Sequence, residues 1–203
     1  MRDERNDLDP DGWVDRHGDL MFRYALKMVR ARDIAEDVVQ ETFLEALRSH
    51  DSYAGRSSER TWLVGILRHK ILDYFRKSGR ESFVDQIERV EANANGVFDR
   101  RGHWKAGPAR WNGDPAQDLE RREFWDVLHQ CLSGLPPGLS ETFFLYELEG
   151  LDGAEVCEVL GITPANLWKR MHRCRLLLRE CLERNWFGTR AKRVETRRSC
   201  EGC

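Results

Sequence analysis

The sequence lacks the features of membrane and secreted proteins. No uninterrupted apolar run approaches the roughly 20 residues that a helix needs to cross a bilayer. The first residues, MRDERNDLDPDG, are charged and acidic and lack the apolar centre of a secretory signal. The alternating polar and apolar pattern of a strand is also missing. We therefore expect a cytoplasmic protein of the all-α class.

Signatures of enzymes are missing too. The chain contains no HExxH, no GxxxxGK[ST] and no GxSxG motif, so we expect no catalytic residue and no cofactor. An excess of positive charge is likewise absent, because 33 Lys and Arg residues stand against 35 Asp and Glu residues, for a net charge of −2. The distribution of charge is more informative than its sum. Acidic residues crowd the first fifty positions, whereas cations gather in 68–80, 164–179 and 184–198. We expect such segregation in a protein that touches both DNA and another protein.

The six cysteines do not predict a disulfide framework in a cytoplasmic protein. Cys157, Cys174 and Cys181 fall on apolar helical faces, and we interpret them as small core residues. Cys200 and Cys203 form one CxxC without a second pair of ligands, so they are only weak candidates for a zinc or redox site. An unstructured tail is the alternative.

The clearest pattern lies between Leu151 and Leu182, where two helical segments meet at GITP. Gly161 suits the left-handed position after a helix end, Thr163 can cap the next helix, and Pro164 fits its first turn. In the second helix, apolar residues and mostly cationic residues recur with helical spacing and form two opposite faces. The apolar face holds Leu167, Met171, Cys174, Leu178 and Cys181, and the opposite face holds Ala165, Lys169, His172, Arg173 and Arg179. This pattern is typical of a DNA-binding helix-turn-helix, and an αα-hairpin with a solvated basic face is the alternative.

The rest of the chain predicts two small helical domains joined by a linker. We expect a disordered N-terminus (1–11), a first domain (12–80), a linker (81–118), a second domain (119–187) and a basic, cysteine-containing tail (188–203). The linker breaks the helical periodicity with Gly, Pro, Asn and Trp. Trp104 and Trp111 are costly to leave in water, so we expect them to dock against a surface.

Two helices of the first domain carry opposite charge. The segment DIAEDVVQETFLEAL (33–47) presents Asp33, Glu36, Asp37, Gln40 and Glu41 on a polar surface, and Ile34, Val38, Phe43, Leu44 and Leu47 can pack inward. It predicts either a well-capped amphipathic helix or a docking face for a cationic partner. The segment TWLVGILRHKILDYFRK (61–77) mixes aromatic and basic residues, which suits single-stranded DNA. Most of its aromatics, Trp62 and Phe75 included, are expected in the core, and Tyr53 in the preceding loop is the better candidate for exposure.

These three segments, in this order and at this spacing, resemble those of bacterial sigma factors of the extracytoplasmic-function group. The first is similar to the family's polymerase-binding segment and the second to its promoter-melting, −10-reading helix. The segment LDGAEVCEVLGITPANLWKRMHRCRLLLREC (151–181) is similar to its −35-reading helix-turn-helix. The sequence departs from the family at His69, where Asn is usual, and at Cys157 and Cys174, where Ala is usual. The resemblance implies a subunit that binds core RNA polymerase and directs promoter-specific initiation, with region 2 at 12–80 and region 4 at 119–187.

The resemblance also implies residue roles. Contacts with the β′ clamp helices fall to Asp33, Glu36, Asp37 and Gln40. Contacts with the −10 element fall to Ser52, Tyr53, Arg68, Lys70, Arg76 and Lys77. In the −35 element, the residues expected to contact base edges are Asn166, Lys169 and Arg173. Those expected to contact phosphates are Arg170, His172, Arg175 and Ser140. The β flap and an anti-sigma factor are further expected partners, and the linker would thread the RNA-exit region.

Two rival interpretations stay open at this point. A stand-alone helix-turn-helix regulator would bind duplex DNA without polymerase and would leave the acidic helix 33–47 without a role. A thiol- or zinc-responsive protein would use Cys200 and Cys203, with Cys181 or His103 as a further ligand.

Overall fold

The computed structural model describes residues 8–80, 83–85 and 122–187. The main helices are α1 (Trp13–Val29), α2 (Arg32–Ser49), α3 (Glu59–Lys77), α4 (Arg122–Ser133), α5 (Pro137–Phe143), α6 (Gly153–Leu160) and α7 (Pro164–Leu182). Short 3-10 turns occupy Pro10–Gly12 and His50–Ser52, and π-helical turns occupy Phe144–Leu148 and Glu183–Phe187. The described part of the chain contains no strand, which confirms the predicted all-α class. None of its helices combines the length and the apolar character that a membrane span requires.

The chain divides into two compact units, one of residues 1–89 with 141–168 and one of residues 90–140 with 169–203. The segment that contains the helix-turn-helix is therefore shared between them, with the division inside α7. The predicted domain limits at 80 and 119 stay predictions. Most of the predicted linker, including Trp104 and Trp111, lies outside the described residues, as does the tail with Cys200 and Cys203.

In the first unit, α1, α2 and α3 pack against one another, and α3 also packs against α6. The interior of α1 is formed by Trp13, Met21, Tyr24 and Ala25, and that of α3 by Leu63, Leu67, Ile71 and Phe75. Helix α3 begins where the hydroxyl of Ser58 accepts a hydrogen bond from the Thr61 N–H at 3.1 Å. Because Ser58 satisfies an otherwise unpaired donor, it fixes the first turn of the helix that carries the basic residues.

The start of the chain is more ordered than we predicted. Residues 8–11 were expected to be disordered, yet the Asp9 N–H donates to Glu59 Oε2 at 3.0 Å. The Arg16 guanidinium bridges the Asp9 carboxylate at 2.8 Å and Glu59 at 2.9 Å, and His17 Nε2 lies 2.8 Å from Glu59. Burial opposes ionisation of Glu59, but these donors prevail and lower its pKa. This polar cluster ties the turn Pro10–Gly12 to the start of α3.

The helix-turn-helix connection follows the local chemistry that the sequence predicts. Gly161 ends α6 with φ 64° and ψ 37°, in the left-handed region that favours glycine. Thr163 Oγ1 accepts a hydrogen bond from the Asn166 N–H at 3.3 Å, and α7 begins at Pro164. The predicted roles of Gly161, Thr163 and Pro164 are thus confirmed. Asp152 caps the start of α6 through a reciprocal capping box with Glu155.

The second unit contains a disulfide that the sequence analysis did not predict. Cys131 of α4 and Cys181 of α7 are bonded across a sequence separation of 50 residues. Cys181 is therefore not a free core thiol, and the interpretation from its helical face is wrong. Cys174 is buried, as expected, and its thiol donates to the Leu139 carbonyl at 3.2 Å. Edge-on packing of Phe124 against Trp186, at 5.5 Å between ring centroids, adds a second link between α4 and the turn after α7.

Candidate nucleic-acid and protein interfaces

The acidic surface of α2 is open to a partner. Its predicted residues Asp33, Glu36, Asp37 and Gln40 are all exposed. Glu36 Oε1 accepts a hydrogen bond from Arg32 Nε at 2.8 Å, and the Arg32 guanidinium lies 5.4 Å from the centroid of the Phe22 ring. Glu36 therefore already has a cationic neighbour on its own helix.

Two leucines extend this surface, contrary to expectation. Leu44 is 53% exposed and Leu47 is 47% exposed, although we predicted that both would pack inward. The inner face of α2 is instead made of Ala35, Val38, Thr42 and Ala46, all buried. Thr42 can be buried because its hydroxyl donates to the Val38 carbonyl at 2.7 Å. The exposed surface of α2 thus runs from acidic residues into an apolar patch.

A groove of about 200 Å³ separates α2 from α3. Its polar lining comes from Asp37, Glu41, Lys70, Asp73, Tyr74 and Lys77. Lys70 Nζ lies 3.3 Å from Glu45 Oε2, and Arg76 donates to Asp73 at 3.0 Å. One predicted polymerase-binding residue, Asp37, and two predicted −10-binding residues, Lys70 and Lys77, therefore line the same groove.

The loop before α3 is held by aromatic packing. The Tyr53 ring lies 5.1 Å from that of Trp62, which lies 5.9 Å from that of Trp13. The Tyr53 hydroxyl donates to the Ser57 carbonyl, and burial raises the pKa of the phenol. Tyr53 is therefore half-buried and less exposed than we predicted, whereas Ser52 is exposed and donates to the Ser49 carbonyl at 2.6 Å.

Arg68 differs most from its predicted role in −10 binding. It is buried, and its Nε donates to Glu141 Oε1 at 3.1 Å. Glu141 is 0% exposed and also accepts a hydrogen bond from the Tyr24 hydroxyl at 2.5 Å. A charge inside a protein needs such a partner, so Arg68 cannot reach DNA while Glu141 holds it.

Two more carboxylates, Glu149 and Glu155, fasten the segment 141–168 within the first unit. Glu149 accepts two hydrogen bonds from Arg23, at 2.9 and 2.7 Å. Glu155 accepts hydrogen bonds at 2.8 Å from Ser58 and from Thr61, and it also pairs with Arg60.

Ionisation of Glu155 is favoured by the donors around it. Partial burial opposes the ionised form, but hydrogen bonds from the Asp152 N–H, Thr61, Ser58 and Arg60 outweigh it and lower the pKa to about 2. Sequence reasoning missed Glu141, Glu149 and Glu155. Only Glu155 had a local signal, the capping-box spacing from Asp152, and that signal does not reveal the contacts with α3.

Helix α7 presents a sharply divided surface. The exposed side chains of its first three turns are Pro164, Ala165, Trp168, Lys169, His172 and Arg175, and Asn166 and Arg173 flank them half-buried. Arg170 was predicted to reach phosphate but is 4% exposed, because it lies on the side of Leu167, Met171 and Cys174. Ser140 was predicted likewise, but it is buried and donates to the Leu132 carbonyl at 3.3 Å. Trp168 is exposed on the cationic side, and no pattern in the sequence predicts a role for it.

The described cysteines do not resemble a reactive or metal-binding site. Burial raises the pKa of the Cys157 thiol and raises that of Cys174 to about 12, so both favour the uncharged form. Within 8–80, 83–85 and 122–187, no three His, Cys, Asp or Glu side chains cluster in a way that could hold a metal ion.

Comparison with known families matches both halves of the chain. The Sigma-70 region 2 family matches residues 13–81, and the family Sigma-70, region 4 matches residues 125–178. A probable RNA polymerase sigma factor of Haemophilus influenzae is 34% identical over 166 residues, which cover 81% of this chain and 84% of that protein. The ECF RNA polymerase sigma factor SigX of Bacillus subtilis is 43% identical over 172 residues, covering 82% and 79% of the two chains.

Solved structures show the same fold. The sigma factor RpoE of Bartonella quintana, solved with the anti-sigma factor NepR, is 25% identical with a TM-score of 0.54. The match covers 82% of this chain and 92% of that one. CnrH, solved with the cytosolic domain of CnrY, has a TM-score of 0.56 at 22% identity, and covers 87% of this chain and 88% of that one.

Proposed function

This chain belongs to the extracytoplasmic-function sigma factors, and from that premise we propose which of its surfaces bind polymerase and which bind promoter DNA. It binds core RNA polymerase and directs promoter-specific initiation of transcription. The rival interpretation as a stand-alone regulator is not favoured, because region 2 is matched along nearly the whole first domain. A sigma factor is a non-enzymatic initiation factor, so the chain contributes no catalytic group and acts in the cytoplasm with the polymerase.

The exposed face of α2 binds the β′ clamp helices. Asp33, Asp37 and Gln40 supply polar contacts, and the apolar patch of Leu44 and Leu47 supplies buried area. The exposure of those two leucines carries this assignment, since interfaces typically combine an apolar centre with a polar rim. Charge would steer the encounter and set the register, while the leucines would contribute buried apolar area.

This interface is tested by measuring affinity for core polymerase. Leu44→Ala and Asp37→Lys are both expected to weaken binding by tenfold or more, which corresponds to about 1.4 kcal/mol. Val14→Ala is the matched control, because Val14 is an apolar residue exposed on α1. If Leu44→Ala and Val14→Ala bind core polymerase equally well, the interface lies elsewhere.

Binding of the −10 element falls to the loop and α3. Ser52, Arg76 and Lys77 are exposed, and Lys70 lines the groove beside α2. Tyr53 is packed against Trp62 and half-buried, so only part of its ring is accessible to a base. Arg68 and Arg60 can contact the −10 element only if DNA displaces their partners Glu141 and Glu155. Exposed Arg76, whose partner Asp73 is itself exposed, and Lys77 can therefore contact phosphate before the buried or half-buried Arg68 and Arg60 do.

The exposed side of α7 reads the −35 element. Lys169, His172 and Arg175 are best placed for DNA, and Asn166 and Arg173 can reach it from the flanks. Arg170 is left out of this set because it is buried. Run-off transcription with core polymerase tests the whole assignment. Lys169→Ala should lower promoter-dependent transcript and leave core affinity unchanged, and a wild-type chain that yields no promoter-dependent transcript would refute the function.

Two further partners are proposed from the family. The β flap would hold region 4 near the −35 element while α2 holds the clamp. An anti-sigma factor is favoured by the likeness to an RpoE that was solved with one. Co-purification from cells would show which of these partners accompanies the chain.

A further inference from the structure

Trp168 is an unusual residue on a surface proposed to meet DNA. It lies in the second turn of α7, and 51% of its surface is exposed. Tryptophan is enriched at interfaces because one ring supplies a large apolar area and a polar N–H, so an exposed indole is suited to contact a partner. None of the roles proposed above uses it.

The orientation of the indole is set by a second aromatic ring. Tyr146 packs against Trp168 with ring centroids 5.8 Å apart and planes at 80°, in an edge-to-face arrangement. Tyr146 belongs to the π-helical turn Phe144–Leu148, whose Leu145 is fully buried and accepts a hydrogen bond from the Leu151 N–H at 3.0 Å. The edge contact restricts the indole but leaves much of its surface uncovered. A ring that is ordered in advance loses little conformational freedom on binding.

The residues around Trp168 indicate the chemistry of what it meets. Along α7 it shares the exposed side with Ala165, Lys169 and His172. Lys169 favours a polyanion, and the small side chain of Ala165 allows a close approach. In helix-turn-helix proteins the N-terminal residues of the second helix contact base edges in the major groove.

Resting on the function proposed for α7, we propose that Trp168 recognises the methyl group of a thymine in the −35 element. In the major groove, thymine alone presents an apolar group, its C5-methyl, whereas the other base edges present donors and acceptors. Lysine, histidine and arginine satisfy acceptors and phosphates but gain little from a methyl group. The indole supplies the largest apolar surface on the exposed side of this cationic helix, where Ala165 adds only a methyl group.

Replacement of thymine by uracil isolates this contact. Uracil pairs in the same way but lacks the methyl group, so the holoenzyme is tested on a promoter that it transcribes, with each −35 thymine on either strand replaced in turn. One replacement should weaken wild-type binding about fourfold, the effect expected for burying a single methyl group. With Trp168→Ala, the thymine promoter should bind more weakly and that uracil replacement should have no further effect.

Matched variants separate recognition from stability and from protein binding. Trp125→Ala changes another exposed tryptophan, on α4 and 43% exposed, and should keep the uracil penalty. Trp168→Phe should keep part of it. Tyr146 is a positioning residue, so Tyr146→Ala should reduce the uracil penalty. Tyr146→Phe retains the ring and should therefore show the wild-type penalty. Affinity for core polymerase should be the same in all of these variants.

The outcomes distinguish this inference from the function on which it rests. A wild-type holoenzyme that recognises no promoter would remove the proposed function itself. A wild-type holoenzyme that recognises its promoter but shows no uracil penalty would overturn only the role of Trp168. So would a penalty that persists in Trp168→Ala, or a Trp168→Ala variant whose defect is in binding core polymerase.

Discussion

Replacement of Glu141 should destabilise the first unit more than any change on its surface. The Glu141 side chain is completely buried and accepts hydrogen bonds from Arg68 Nε and from the Tyr24 hydroxyl. Its second oxygen, Oε2, has no hydrogen-bond partner among the described residues. Glu141→Leu removes both accepted bonds and leaves the buried Arg68 guanidinium without this carboxylate. The loss is expected to be about 3–5 kcal/mol, as for one partner of a buried ion pair.

Variants of the partners divide this loss into its parts. Tyr24→Phe removes only the hydroxyl and should cost about 1.5–3 kcal/mol, because its acceptor is a carboxylate. Arg68→Met removes the other charge and should cost nearly as much as Glu141→Leu. The double variant Glu141→Leu, Arg68→Met replaces the pair by apolar groups and should recover most of the lost stability.

Urea unfolding of the full chain, followed by far-ultraviolet circular dichroism, measures these differences. Asp19→Leu, an exposed acidic residue of α1, is the surface control and should change stability by less than about 0.5 kcal/mol. A Glu141→Leu variant within about 1 kcal/mol of wild type, or a double variant in which the two losses simply add, would show that the buried pair does not hold the segment 141–168 in place.

Three further predictions concern other parts of the chain. Reduction of the Cys131–Cys181 disulfide, or Cys131→Ala with Cys181→Ala, should destabilise the second unit by about 4 kcal/mol in chain-entropy terms for its 50-residue separation; thermal melts with and without dithiothreitol test this, and dithiothreitol should not affect the double variant. Arg30→Gly should raise stability by up to about 1 kcal/mol in urea titrations, because Arg30 ends α1 with φ 59°; a loss would show that its side chain matters more than its backbone. Glu155 has its pKa lowered from 4.5 to about 2, so its stabilisation is complete above pH 4.5 and disappears as the pH falls towards 2. Wild type should therefore exceed Glu155→Gln in stability at pH 7 and lose that advantage near pH 2, and a gap that persists at pH 2 would contradict the assignment.

The sequence predicts best where the determining interactions are local. The turn between α6 and α7 depends on Gly161, Thr163 and Pro164, each of which acts within a few residues of itself. The order of the three family segments likewise requires no knowledge of packing. Consequently the all-α class and the family could both be reached from the sequence.

Prediction fails where small or polar residues form the interior. The inner face of α2 uses Ala35, Thr42 and Ala46, so a rule that turns large apolar residues inward places Leu44 and Leu47 on the wrong side. The burial of Arg68 depends on Glu141, 73 residues later, and the disulfide joins cysteines 50 residues apart. No helical period indicates such a partner, because the pairing is decided by tertiary packing.

The carboxylates that hold the segment 141–168 also limit which cations DNA can use. Arg60 and Arg68 are already paired with Glu155 and Glu141. A phosphate that binds them must replace these carboxylates, so the net binding free energy is only the difference between two anionic partners. Lys77 and Lys169 are exposed, and a phosphate that binds them replaces mainly water and counterions. Replacing either lysine by alanine should therefore reduce the magnitude of the slope of log affinity against log salt concentration by about one. One phosphate fewer is neutralised, so about one counterion fewer is released on binding. Neutralising Glu155 should act in the opposite direction, since it offers Arg60 to the DNA without removing a cation.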